Sequence, residues 1–420
     1  MTSTMEPRVA VHPTQEITVT TDSRQILANA ANDTKRYDLD NRFIVDVDSH
    51  HVELDSWPEI IEYLDHPILR DYGEQISQNW PQAGHLALSN HVAGLTFQDT
   101  AGRVPHQAAL SEYVEPSGEH RDLTLVRRAM DAMSIDCQVV FPQPMLEIGL
   151  HPNPLIGASL MMAYNKWFVT NILGKDHRIK TMLGLPFEDP DMALETIRLY
   201  HDHPDVIGFL VTSQRHISVH DNRYMPIYAE LERLGLPIGF HAGPSWGDSM
   251  TSTMNRFTAV HAISFVTCNI THLTNWLFNG IPERFPGLKT IWIESGLAWL
   301  PFLMQRLDHE FILRTSDAPL LRKAPSDYMR EMYYTSQPLE MPDPDLLQST
   351  LKAIAAENTL MYSSDWPHWD FDTPGRIMSI PNISEHAKNN ILGGTALQVF
   401  GAKIAGLAPA TATPRGAGNR

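Results

Sequence analysis

A (β/α)8 TIM barrel, with an insertion after the first strand and an N-terminal arm, is the fold this sequence predicts. From Phe43 onward, short strand-like apolar runs alternate with helical stretches about eight times, the sign of parallel βα units. The 420 residues exceed the roughly 250 of a plain barrel by what an arm and an insertion supply. The first run passes into Val47-Asp48-Ser49-His50, where a doubly wound sheet would place a glycine-rich phosphate turn.

Residues 1–41 are rich in Thr, Asn and Asp without sustained periodicity and are expected as an extended or partly disordered arm, one able to wrap a neighbouring subunit. The first strand starts at Phe43 and ends in Asp48-Ser49-His50-His51-Val52-Glu53. Over 57–72, Ile60, Ile61, Leu64 and Leu69 recur at near-helical spacing, which predicts one helix. Pro, Gly, His and polar residues dominate from about 71 to 122, read as an insertion over the pocket. A helix at 123–133 then feeds a second strand at 137–142, followed by a helix at 155–173, a strand at 179–186, a helix at 192–201 and a strand at 206–213. Helices at 224–234 and 260–279 lead to strands at 237–243 and 289–296. Helices at 297–314 and 344–357 flank a strand at 332–338, and the eighth strand falls at 359–367. The barrel thus spans 42–402, and the low-complexity tail 403–420 is expected to be disordered.

Composition narrows the function. With 43% hydrophobic residues the chain can bury a sizeable core. Forty-nine acidic against 32 basic residues, a net charge of −17, repel nucleic acid and anionic membrane surfaces, so neither is expected as a partner. No apolar run reaches the ~18 residues of a membrane span, and the N-terminus has no basic segment followed by an apolar one. Cys137 and Cys268 make no disulfide framework and suit a reducing, cytoplasmic setting. A small-molecule substrate is the partner this leaves.

In a barrel, chemistry gathers at the C-terminal ends of the strands. Strand one ends in Asp48 and His50, whose period-two spacing puts both side chains on one side. Strand five ends in His241, strand six in Glu294 and strand eight in Asp365. Singly each has an ordinary structural role: a core histidine, a helix cap, a turn former. Together, mixed imidazole and carboxylate donors suit a divalent ion of intermediate softness, zinc, manganese or iron, which lowers the pKa of bound water and polarises a substrate oxygen. Arg215, beyond strand four, and Arg256, after strand five, are candidates to hold a substrate carboxylate, with a solvated surface role open to both. His368 is a candidate to face substrate, and His51, His261 and His272 are read as supporting residues.

The segments DVDSHHVE (46–53), GFHAG (239–243), NGIPERFPGLKTIWIESGLAWLPFLMQRLD (279–308), SSDWPHWD (363–370) and NILGGTALQVFG (390–401) carry a resemblance. The chain resembles the amidohydrolase superfamily over roughly 42–402, in the branch typified by aminocarboxymuconate-semialdehyde decarboxylase. That resemblance implies one divalent metal held by two residues of the first strand, matching Asp48 and His50, a His after strand five, matching His241, and an Asp after strand eight, matching Asp365. Decarboxylating members show His-x-His or Glu-x-His at the first strand, where this chain has Asp48-x-His50. They place a His at strand six, where Glu294 stands, and a carboxylate there can serve as a general base or bridge a second metal.

The expectation is therefore a metal-dependent enzyme that hydrolyses or non-oxidatively decarboxylates a small organic acid or amide. Asp48, His50, His241, Glu294 and Asp365 are its metal-site candidates; Glu294 and Asp365 are its catalytic ones, with Glu294 moving the proton. One ion is expected and two are allowed. Two alternatives stay open: a dinuclear iron or manganese hydroxylase that activates oxygen, and a catalytically silent partner subunit. The arm and insertion suggest a homo-oligomer or pairing with a related subunit.

Overall fold

The structure, a computed structural model, describes residues 23–53, 56–79, 113–151, 153–243, 248–254 and 256–409. Eight parallel strands follow one another around a barrel: β1 Val45–His51, β2 Cys137–Pro142, β3 Ile179–Gly184, β4 Val206–Thr212, β5 Ile238–His241, β6 Thr290–Ile293, β7 Tyr333–Thr335 and β8 Leu360–Met361. β8 is only two residues long, and the ring closes through the chain just beyond it. Val47 N donates to Tyr362 O (3.0 Å), Asp365 N to Asp48 O (2.7 Å) and His50 N to Trp366 O (2.7 Å). The tips of the first and last strands are thereby stitched together.

The strands read as apolar runs because both faces are covered. Val45, Val47, Val139, Phe141, Met182, Ile207, Leu210, Ile291, Ile293 and Met361 fill the barrel interior. The other face packs against a ring of helices, including Arg121–Met133, Pro154–Asn171, Pro190–Tyr200, Met225–Leu234, Phe257–Phe278, Trp299–Leu313 and Pro344–Ala353. Three of these start with an Asx-Pro pair: Asn153, Asp189 and Asp343 each accept two first-turn amides, and the proline that follows sits where no amide is needed. Ala396, Leu397, Val399, Phe400 and Ile404 plug the floor of the barrel. Lys289 Nζ donates to Val399 O (2.7 Å), and Lys403 Nζ to His203 O (2.8 Å), tying that plug to the strand N-termini. Gly393 lets it come close, since a Cβ there would lie 2.5 Å from Phe43 O.

Several expected boundaries move. The helix expected over 57–72 is two, Trp57–Glu62 and Pro67–Asn79. Pro67 starts the second because the residue before a proline is pushed out of helical geometry. Within the stretch read as an arm, Ser23–Arg36 is a helix with Ile26, Leu27 and Ala30 buried, docked on Arg121–Met133 by Thr34 Oγ1 donating to Ala132 O (3.0 Å). Residues 1–22 of that arm, residues 80–112 of the insertion and the tail from 410 lie outside the described residues. Cys137 and Cys268 are both buried and free, their thiols pushed up to about 12 by burial. Among the described residues no helix is long and apolar enough to cross a membrane.

Candidate metal centre

The five strand-end candidates converge. Asp48 Oδ1 lies 3.2 Å from the Nε2 of both His50 and His241. His50 Nε2 is 3.1 Å from Asp365 Oδ1, and His241 Nε2 is 3.4 Å from Glu294 Oε2. All five side chains are buried. One donor atom from each of Asp48, His50, His241 and Glu294 falls within 4.8 Å of the others. Ligands bonded to one ion at 2.0–2.2 Å stand up to ~4.4 Å apart, so this spacing fits a shared cation.

The backbone sets which ring nitrogen faces the cluster. His50 Nδ1 is 3.1 Å from Pro142 O, and His241 Nδ1 is 2.7 Å from Ala242 O. A carbonyl only accepts, so each Nδ1 carries a hydrogen and each ring turns its Nε2 toward the carboxylates. Asp48 Oδ2, His50 Nε2, Glu294 Oε2 and Asp365 Oδ2 are buried without a hydrogen bond. Buried polar atoms left this way cost about 1–3 kcal/mol each, and a divalent cation would satisfy those of Asp48, His50 and Asp365. The donor set therefore fits such an ion.

The electrostatics follow from crowding. Burial opposes charge on Asp48, but His241 and His50 outweigh it and hold the carboxyl well below its usual range. Burial likewise opposes charge on Asp365, which His368 and His50 hold low. His50 responds in kind: burial disfavours the imidazolium, yet its contacts with Asp365 and Asp48 push it up to about 10. Glu294 goes the other way, raised well above its usual range by burial first and then by Asp365, Asp48 and Asp370. The cluster thus sets Glu294, a neutral acid, beside two ionised carboxylates.

Two of these residues stand in left-handed backbone, Glu294 at φ 55° and Asp365 at φ 59°. That region costs a residue with a side chain about 1 kcal/mol or more and gathers at functional sites. Glu294 N donates to Thr335 Oγ1 (3.0 Å) and Asp365 N to Asp48 O, which hold the turns.

Of the other candidates, His368 joins the cluster, with a donor atom within 4.8 Å of those of His50 and Asp365. His368 Nδ1 contacts Asp365 Oδ1 at 2.5 Å, and its ring lies 4.4 Å from that of His50. Arg215 is not solvated: its guanidinium is 2% exposed, paired with Glu188 (3.0 Å), bonded to Thr212 O (3.1 Å) and set over the Phe187 ring. Arg256 is exposed at the start of the Phe257–Phe278 helix. His51 turns to the outer layer, with Nδ1 3.0 Å from Asp122 Oδ2 and Nε2 2.8 Å from Tyr164 OH. His272 Nε2 meets Ser213 O (2.9 Å), and burial pushes its pKa down to about 4, leaving it neutral. His261 Nε2 is 3.8 Å from Asp370 Oδ2.

Three carboxyls near the site went unread. Glu53 accepts from Gln143 N (2.9 Å) and Met145 N (2.8 Å), fastening the loop after β2 to the end of β1. Asp370 is pushed up to about 8 by burial and by Asp365. Asp46 lies beneath the cluster; its place one period before Asp48 was the only signal for it.

A parallel eight-stranded barrel whose strand tips bring two imidazoles and three carboxylates to one buried point defines a class: barrel enzymes built around a divalent metal. A model described as Amidohydrolase matches residues 136–402, more than half of the chain, so this protein belongs to the amidohydrolase family, whose hydrolases and carboxy-lyases it joins as an enzyme. The match starts at the approach to β2, leaving Asp48 and His50 outside it. The chain is 24% identical over 344 residues to gamma-resorcylate decarboxylase of Polaromonas sp. (strain JS666 / ATCC BAA-500), covering 76% of this chain and 98% of that one. It is 23% identical to 2-amino-3-carboxymuconate-6-semialdehyde decarboxylase of Dictyostelium discoideum, over 64% of this chain and 73% of the relative. The dihydroxybenzoic acid decarboxylase of Polaromonas sp. JS666, solved with bound manganese and the inhibitor 2-nitroresorcinol, shares the fold at a TM-score of 0.59 and 16% identity, over 86% of this chain and 97% of that one.

Proposed function

We propose that this enzyme non-oxidatively decarboxylates a small hydroxylated aromatic or related unsaturated acid, with a divalent ion, manganese by preference, held by Asp48, His50, His241 and Asp365. The observation that carries the reading is the grouping of Asp48, His50 and His241 within 4.8 Å, with Asp365 3.1 Å from His50, among buried atoms with no hydrogen bond, in a chain that spans 98% of a decarboxylating relative. The ion supplies a concentrated positive charge that draws an acidic substrate's oxygens into the pocket and polarises them.

The protein's own part is positioning and the proton. Loss of CO2 breaks the bond between the ring carbon and the carboxylate, leaves the electron pair on that carbon, and requires a proton there. Glu294 is the donor: burial keeps its carboxyl protonated, and it sits 3.4 Å from His241 at the edge of the donor set. Its carboxylate then takes a proton from water to restart the cycle. Asp365 orients His368 at the mouth of the site, where the imidazole faces substrate. Neither the oxygen-activating two-metal alternative nor the silent subunit gains support from the relatives. A homo-oligomer in a reducing cytoplasm completes the proposal, and the exposed Phe302, Ile312 and Leu313 are side chains that assembly would cover.

The test is to incubate the manganese-loaded enzyme in D2O with 2,6-dihydroxybenzoate, 5-carboxyvanillate and matched aryl amides. Release of CO2 with one deuterium at the vacated carbon is expected. Cleavage of an amide with no CO2 from any acid would replace the decarboxylase by a hydrolase.

A further inference from the structure

Asp46 is a buried carboxylate that the mechanism does not use, and it is the most heavily bonded carboxylate beneath the site. Its Oδ1 accepts from Ser364 N (2.8 Å) and Asp48 N (3.2 Å). Its Oδ2 accepts from Ser364 Oγ (2.6 Å) and Gln138 Nε2 (3.0 Å). Four donors fill it, and three of them adjoin donors of the metal centre: Ser364 precedes Asp365, and Asp48 is itself one. Ser364 passes the restraint on, since its Oγ also accepts from Trp366 N (3.0 Å). Asp365 is thus gripped on both sides, which is what its left-handed φ of 59° demands.

We propose that Asp46 is a positioning residue: through Ser364 it clasps the turn bearing Asp365 to the strand bearing Asp48 and His50, and so sets the affinity of the cluster for a divalent ion. The clasp joins residues 318 apart in sequence and adds side-chain bonds to the backbone bonds between β1 and the chain after β8. Its fourth partner, Gln138, belongs to β2, which contributes no donor. The two arms of the same carboxylate therefore predict different outcomes. This inference rests on the metal-site reading above.

The experiment measures Mn(II) affinity by isothermal titration, with free Mn(II) read by electron paramagnetic resonance, alongside thermal unfolding of each metal-free protein. Ser364→Ala should weaken Mn(II) binding about 10- to 100-fold, the usual effect of removing an outer partner of a metal site. Gln138→Leu should stay within about threefold, although it too removes a hydrogen bond from Asp46. Asp46→Ala should weaken it at least as much as Ser364→Ala, which leaves the Ser364 N bond standing, and the double variant should be no weaker than Asp46→Ala alone, because both act on one linkage. Should Asp46→Ala not fold, the Ser364 and Gln138 variants still decide. Wild-type affinity in Ser364→Ala, or equal losses in Ser364→Ala and Gln138→Leu, overturns the clasp while leaving the metal site standing. Absence of Mn(II) binding by the wild type overturns both.

Discussion

Loading the metal should expel about one proton per ion, and the groups facing the cluster say which one. In the ion-free chain His50 is protonated at neutral pH, since Asp365 and Asp48 overcome its burial and push it up to about 10. A ligating imidazole must be neutral, so the cation displaces that proton. Glu294 is different. The largest cause of its raised pKa is burial, with a smaller push from Asp365, Asp48 and Asp370, so it meets the ion as a neutral acid. In the proposed cycle Glu294 stands beside the ion and keeps its proton as the acid. One displaced proton makes log affinity rise by about one per pH unit, or ~1.4 kcal/mol per unit, up to the His50 pKa. The sign is fixed: below that pKa the proton competes with the ion, so binding weakens as pH falls. Titrating Mn(II) at pH 7.5 in buffers of different ionisation enthalpy reads the number directly. No proton release would put His50 outside the donor set, and two would make Glu294 a ligand and remove it as the proton donor.

Asp365→Asn removes a charge shared by His50 and His368; Mn(II) binding should weaken by at least ~100-fold and turnover should vanish, measured by elemental analysis after gel filtration and by CO2 release. On the barrel's lower side Lys180 and Asp205 form a buried ion pair, and Asp205 also accepts from Gly174 N (3.0 Å). Asp205→Ala strands the ammonium and should cost about 3–5 kcal/mol in urea unfolding while leaving Mn(II) affinity unchanged. Because the folded-state pKa of His50 is raised from 6.5 to about 10, the native metal-free chain binds that proton more tightly than the unfolded one. The stability it confers is present below pH 6.5 and lost as pH climbs toward 10, so the melting-temperature advantage of metal-free wild type over His50→Gln should shrink across that window.

The barrel and the five strand-end side chains that it brings together were legible because they depend on local signals. An apolar run that stops in Asp, His or Glu can be seen one strand at a time, and the barrel's geometry does the rest. What escaped was non-local or masked. The Ser23–Arg36 helix buries Ser23 and Thr34 along with Ile26, Leu27 and Ala30, so its inward stripe carries few large apolar side chains and passes for part of a polar arm. β7 and β8 are shorter than their apolar stretches, because the chain after β8 leaves the ladder to make the turn that carries Asp365. Arg215 reads as a surface cation in sequence, and only the fold brings Glu188 and Phe187 to it. Asp46 shares the spacing of Asp48 and His50, yet its partner Ser364 lies 318 residues away, a pairing no local pattern encodes.

The most direct measurement is a diffraction map at the manganese absorption edge from crystals grown with Mn(II). The account predicts one anomalous peak per chain, within bonding distance of Asp48, His50, His241 and Asp365. A peak elsewhere on the barrel, or none among those side chains, would contradict it.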